Sequence, residues 1–148
     1  MSLQDSQAFA GDVSVEDAYS ILGRDASALL VDVRTQPEWQ FVGVPDLTSL
    51  GKTPIFLQWQ IYPSMEVADD FVSRLAAELR KRGADESSRV LFLCRSGARS
   101  LQAAVAMTTA GWSRCHNVAE GFEGVLDVER HRGARTGWRA RGLPWAQS

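Results

Sequence analysis

The chain has 148 residues, with 16 basic and 18 acidic side chains, a formal net charge of −2, 45% hydrophobic and 23% charged residues. This balance is globular rather than disordered, and the length suits one domain with its own core. No apolar run reaches the roughly 18 residues of a membrane span, the opening M-S-L-Q-D-S-Q lacks the regions of a signal peptide, and no basic run is interleaved with aromatics. A cytoplasmic protein without membrane or nucleic-acid partners is therefore expected. Its two cysteines, Cys94 and Cys115, are expected to be free thiols, as a chain of this size inside a cell needs no disulfide.

Charge is unevenly spread. Residues 1 to 89 carry 8 basic and 14 acidic side chains, whereas 90 to 148 carry 8 basic and 4 acidic, so the second part can draw small anions.

In chain order, Ser14 with Glu16 and Asp17 marks a helix start, Ala18, Ile21 and Leu22 its apolar face, and Gly23 its end. Leu29 to Val33 reads as a buried strand. Asp32, Arg34 and Thr35 follow, then a short helix with Pro37 in its first turn and Glu38 and Trp39 behind it. Asp32 and Arg34 are expected to pair and brace the core. Ile55 to Leu57 is an edge or lesser strand, and Trp59 and Tyr62 are read as core or rim packing. From Ser64 the apolar spacing of Ala68, Phe71, Val72, Leu75 and Leu79 predicts a helix, acidic at its start, basic at its end and stopped by Gly83.

Val90 to Leu93 is a second buried strand, and the residues after it carry the chemistry. Cys94 stands where that strand ends and a helix begins, and unpartnered N–H groups with the helix macrodipole favour an anion there. Arg95 and Arg99 add positive charge, and Gly97 lets the loop turn. Such surroundings favour the thiolate, the nucleophilic form, and make Cys94 the candidate nucleophile. The helix that follows is expected to turn Leu101, Ala104, Val105 and Thr108 inward and to close at Gly111. Cys115 to Val118 is a further strand, with Cys115 an inward-facing structural residue rather than a resolving thiol. Strands alternating with helices imply an α/β fold, a central parallel sheet with helices on both faces and its site at the C-terminal strand ends.

The loop Cys94-Arg95-Ser96-Gly97-Ala98-Arg99, with V-L-F-L before it and a helix after it, resembles the active-site loop of single-domain rhodanese-like sulfurtransferases. Asp32-Val33-Arg34-Thr35 with Glu38-Trp39, the segment Asn117 to Gly121, and Gly137-Trp138 through Gly142-Leu143-Pro144 are similar to that family too. Val42-Gly43-Val44-Pro45-Asp46 departs from its usual Gly-His pair.

The resemblance covers roughly residues 12 to 145. It implies a rhodanese-like three-layer domain over 12–148, preceded by an extension at 1–11 and carrying an inserted loop at 125–136. This loop, with Arg130, Arg132, Arg135 and a solvated His131, is expected near the mouth of the Cys94 pocket.

The implied activity is transfer of a sulfane sulfur from a small thiosulfate-like anion to a thiol, cyanide or protein acceptor through a Cys94 persulfide. The main-chain groups from Arg95 through Ser96, Gly97, Ala98 and Arg99 to Ser100 would hold the persulfide and the leaving anion, and the Arg95 and Arg99 side chains would help bind the donor. Neither a metal nor an organic cofactor is needed. A rhodanese-fold sulfur carrier or docking module uses the same residues. A cysteine phosphatase or arsenate reductase is disfavoured, because families that transfer phosphoryl groups through cysteine place five residues between cysteine and arginine, whereas four stand here.

Overall fold

A computed structural model of the chain describes residues 9–147. Five parallel strands form the central sheet: β1 (Gly11–Val13), β2 (Leu29–Asp32), β4 (Ile55–Phe56), β7 (Val90–Leu93) and β8 (Cys115–Val118), in the order β1-β8-β7-β2-β4. All four residues of β7 are buried, as a strand with neighbours on both sides and helices above and below must be. Its alternating side chains feed two cores. Val90, Phe92 and Cys94 join one cluster, and Leu91 and Leu93 join the other. β4 lies at the sheet edge, as expected, and β1 adds the opposite edge, beginning inside the stretch read as an extension.

Helix α1 (Val15–Arg24) covers the second core with Val15, Ala18, Ile21 and Leu22, and the Ser14 hydroxyl accepts the Asp17 N–H at 3.0 Å. It does not stop at Gly23: the helix continues to Arg24, and the Asp25 N–H still reaches the Ile21 carbonyl. Helix α2 (Gln36–Phe41) is the short helix expected after Arg34, with Pro37 in its first turn.

Helices α3 (Phe71–Lys81) and α4 (Ala98–Thr109) cover the other core, giving three layers. Phe71, Leu75 and Leu79 are at most 1% exposed, and each such burial contributes about 1.5–3 kcal/mol. α3 begins at Phe71 and not near Ser64. Residues 60–67 instead form an antiparallel hairpin, β5 (Gln60–Ile61) with β6 (Glu66–Val67), around a turn holding Pro63. Ala68 mimicked helical spacing because it is buried for another reason, its N–H bonding the Trp59 carbonyl at 2.9 Å.

In α4 the buried positions are Ser100, Ala103, Ala104 and Met107, an i, i+3, i+4, i+7 stripe. Leu101, expected inside, is 37% exposed, and Val105 and Thr108 are only half-buried. Small residues at 103 and 104 let α4 lie close on the sheet, and the polar Ser100 is held inward by hydrogen bonds. Among the described residues no helix is long and apolar enough to cross a membrane.

Candidate active site

Cys94 follows the last residue of the central strand, and its side chain is 1% exposed. The chain turns at once into α4 through Gly97, whose φ is +110°. A Cβ there would stand 2.3 Å from the Ala119 carbonyl oxygen, so both sterics and backbone reserve the position for glycine. The segment after β8 is fastened beneath this loop: Phe122 N–H donates to the Cys94 carbonyl at 2.8 Å, and Glu123 and Gly124 N–H donate to that of Arg95 at 3.0 and 3.1 Å. Gly121 touches the same carbonyl, where a Cβ would come within 2.4 Å.

The Gly97 N–H donates to Cys94 Sγ at 3.1 Å, and Ser100 Oγ stands at the same distance with one proton that either Sγ or Asn117 Oδ1 can accept. Among the described residues no main-chain carbonyl accepts from the Arg95 or Ser96 N–H, which leaves them to an anion beside the helix start. Ser100 Oγ is also 2.6 Å from Asn117 Oδ1, and Asn117 Nδ2 donates to the Gly97 carbonyl at 3.2 Å and to Asp12 Oδ1 at 3.1 Å. Those two acceptors orient the amide, so Asn117 fixes both the serine and the glycine that face the sulfur. In the sequence Asn117 is legible only as part of a family motif, and Asp12 not at all.

The two loop arginines differ. Arg95 is exposed, whereas Arg99 is forked onto Glu38, with Nη1 to Oε1 at 2.8 Å and Nη2 to Oε2 at 3.0 Å. Glu38 also accepts the N–H and hydroxyl of Thr35 at 3.0 and 2.9 Å. Burial alone would raise the Glu38 carboxyl, but the Arg99 and Thr35 hydrogen bonds outweigh it and hold it at about 2. Glu38 was legible only as part of an acidic-aromatic pair, since its partner is 61 residues away in sequence.

A cavity of about 320 Å³ opens over Cys94, walled by Arg95, Ser96, Ala98, Arg99, Glu38, and by Gln60 and Met65 of the hairpin. Met65 holds φ at +61°, a conformation rare for a residue with a side chain. Trp59 is core: 9% exposed, edge-on to Phe71, with its indole N–H donating to Gln102. Tyr62 is 54% exposed.

Asp32 and Arg34 are fully buried and paired, with Nε to Oδ1 at 3.0 Å and Nη2 to Oδ2 at 2.8 Å. Arg34 Nη2 also donates to the Gly43 carbonyl, and its guanidinium stacks 4.3 Å over Phe122. The pair thereby ties the turn at 42–45 to the segment under the Cys94 loop. That turn, where the expected Gly-His pair is missing, is secured by β3 (Val44–Pro45) against β9 (Trp145–Ala146). Cys115 points into the core, and burial pushes its thiol up to about 11.

Residues 125–136 form a compact loop with touching ends. The Val125 N–H donates to Thr136 Oγ1, and Asp127 Oδ1 accepts the N–H groups of Glu129 and His131. Gly124, at its base, is bonded to Arg95, but the wall of the cavity over Cys94 contains no residue from 125–136.

The family model described as the STR4 middle domain matches residues 10–148. The chain belongs to that family. This STR4-type domain is 39% identical over 128 residues to an uncharacterized protein of Rickettsia conorii, a match spanning 86% of the chain and 90% of the relative. It is 24% identical over 137 residues to the chloroplastic rhodanese-like domain-containing protein 4 of Arabidopsis thaliana, covering 93% of the chain but 26% of that protein. Among solved structures, the crystal structure of Rv0390 from M. tuberculosis superposes with a TM-score of 0.82 at 48% identity, covering 95% of this chain and 99% of that one. The polysulfide-sulfur transferase homodimer of Wolinella succinogenes follows the same fold with a TM-score of 0.58 at 22% identity, covering 97% and 82%. The fold is rhodanese-like.

Proposed function

We propose that this domain is a sulfurtransferase that carries a sulfane sulfur as a persulfide on Cys94. The observation that carries the reading is the Gly97 N–H aimed at Cys94 Sγ at 3.1 Å, with the Ser100 hydroxyl at the same distance and able to turn its one proton onto a thiolate, at the mouth of a helix N-terminus. The thiolate attacks the outer sulfur of an anionic donor such as thiosulfate. A new S–S bond forms, the old one breaks with its electron pair leaving on sulfite, and the negative charge passes to the terminal persulfide sulfur. A thiol or cyanide acceptor then removes that sulfur and restores the thiolate, a double displacement.

Donors that suit the starting thiolate also suit the persulfide and the departing anion. The free N–H groups of Arg95 and Ser96 and the exposed Arg95 side chain support binding of the donor. Asp32 and Arg34 act beneath the site as a brace.

A second reading, a sulfur carrier that docks on a protein, draws support from the hairpin beside the cavity. Ile61, Tyr62, Met65 and Val67 there are 39–54% exposed, an apolar rim next to a nearly buried sulfur. Turnover with cyanide against transfer to a protein thiol separates the two. Phosphoryl transfer is opposed by the four-residue spacing and by the engagement of Arg99 with Glu38.

Intact mass spectrometry tests the proposal. Incubation with excess thiosulfate should add the mass of one sulfur atom to the protein and to Cys115→Ser, and none to Cys94→Ser. An adduct that persists in Cys94→Ser, or vanishes in Cys115→Ser, moves the chemistry away from Cys94 alone.

A further inference from the structure

The cavity over Cys94 holds two arginines in sequence but only one uncompensated cation in space. Among the described residues, its wall carries three permanently charged side chains: Glu38, Arg95 and Arg99. The Glu38 carboxylate meets Arg99 through two parallel hydrogen bonds, so this pair presents an arriving ligand with a dipole and no net charge. The Arg95 guanidinium has no hydrogen-bond or ion-pair partner among the described residues, and the residue is exposed. The sulfur that must accept the donor is itself anionic at the moment of attack. With the Glu38–Arg99 pair neutral, any donor meets the thiolate and one unpaired guanidinium, so the second negative charge of a dianion finds no cation to offset it.

We infer that the Glu38–Arg99 pair selects donor charge: the site takes singly charged sulfane-sulfur donors, of the thiosulfonate or persulfide class, in preference to doubly charged ones such as thiosulfate. This rests on the sulfurtransferase reading and adds to it the charge class of the substrate. Glu38 acts as a specificity-determining residue through field and through its hold on Arg99. Methanethiosulfonate and thiosulfate isolate the effect, because one carries a methyl group where the other carries a charged oxygen. The thiolate attacks the outer sulfur of either, the donor S–S bond breaks, and methanesulfinate or sulfite leaves with the electron pair, Cys94 keeping the sulfur as its persulfide.

The experiment compares the second-order rate of Cys94 persulfide formation with each donor in the unsubstituted protein, in Glu38→Gln and in Arg95→Gln. The intrinsic reactivities of the donors cancel when only the change of their ratio between variants is read. In Glu38→Gln, removing one negative charge, taken as about 7 Å from a donor over Cys94 at an effective dielectric of about 40, should shift the ratio about sevenfold toward thiosulfate. The shift should shrink as salt rises. Arg95→Gln, at an exposed position that folding does not need, should move the ratio the opposite way. A ratio unchanged in both variants, with adducts still forming, overturns the charge-selection proposal alone. No adduct from either donor in the unsubstituted protein overturns the sulfurtransferase reading, and this proposal with it.

Discussion

Ser100→Ala removes the hydroxyl that can turn its proton from Asn117 to the Cys94 sulfur, and the structure sets the size of the loss. The hydroxyl is fully buried, 3.1 Å from Sγ and 2.6 Å from Asn117 Oδ1. Turning that one proton from Asn117 Oδ1 to a thiolate exchanges a neutral hydrogen bond of about 0.5–1.5 kcal/mol for a charged one of about 1.5–3 kcal/mol, so loading of sulfur onto Cys94 should slow by about 5- to 30-fold. Stability falls as well, because Asn117 is 4% exposed and its Oδ1 loses its partner, at a cost of about 1–3 kcal/mol.

The double variant Ser100→Ala/Asn117→Leu separates the two effects. It removes the orphaned oxygen while keeping the branched shape of the side chain, and the Gly97 carbonyl keeps the Leu101 N–H at 3.2 Å. Thermal stability should recover in part while the loading rate, followed by mass spectrometry under single-turnover conditions, stays low. A single variant that loads at the unsubstituted rate would refute the hydroxyl's contact with the reacting sulfur. Recovery of rate along with stability in the double variant would show that the defect was one of folding.

Arg34→Met should cost about 3–5 kcal/mol in urea unfolding, since it leaves the fully buried Asp32 carboxylate without its cation; a loss under 1 kcal/mol would mean that Asp32 finds another partner or a proton at little cost. Glu38 lies at about 2 in the folded state, against an unfolded value of 4.5, so its contribution is complete above pH 4.5 and is lost as pH falls toward about 2. With 19% of the side chain open to solvent, that contribution is at most about 3 kcal/mol, and Glu38→Gln should flatten this limb of the stability–pH profile. Replacing Arg130 and Arg135 by Gln should raise KM for thiosulfate at low ionic strength with little change in kcat, and an unchanged KM across salt would mark the 125–136 loop as remote in its electrostatics. Arg132 is left in place there because its Nη1 holds the Gly124 carbonyl at 2.8 Å.

The Cys94 loop and its flanking strand were legible because their signals are local. Four consecutive apolar residues must be buried, Gly97 must turn, and a cysteine between strand and helix lies among free N–H groups whatever the rest of the chain does. The same holds for the Ser14 cap, for Pro37 in its first turn and for the Asp32–Arg34 pair, separated by only two positions. Apolar spacing also identified the later turns of α3, where Leu75 and Leu79 face the core, but it cannot tell a buried helical position from one buried by a strand contact. Ala68 therefore drew the helix back across a hairpin, and the hairpin's contribution of Gln60 and Met65 to the cavity was hidden with it. In α4 the face turned inward was decided by Ser100, whose hydroxyl reaches Cys94 and Asn117. A hydropathy pattern has no means of burying a serine.

Sequence alone thus determined the fold class, the position of Cys94 between strand and helix and the length of its loop, all properties of neighbouring residues. Only the tertiary structure decided which charges are free. Glu38 and Arg99 lie on different helices, and their pairing depends on how β2 and β7 lie side by side in the sheet. Net electrostatics at a site is a sum over groups that the fold brings together, so two arginines counted along the loop become one uncompensated cation in the cavity.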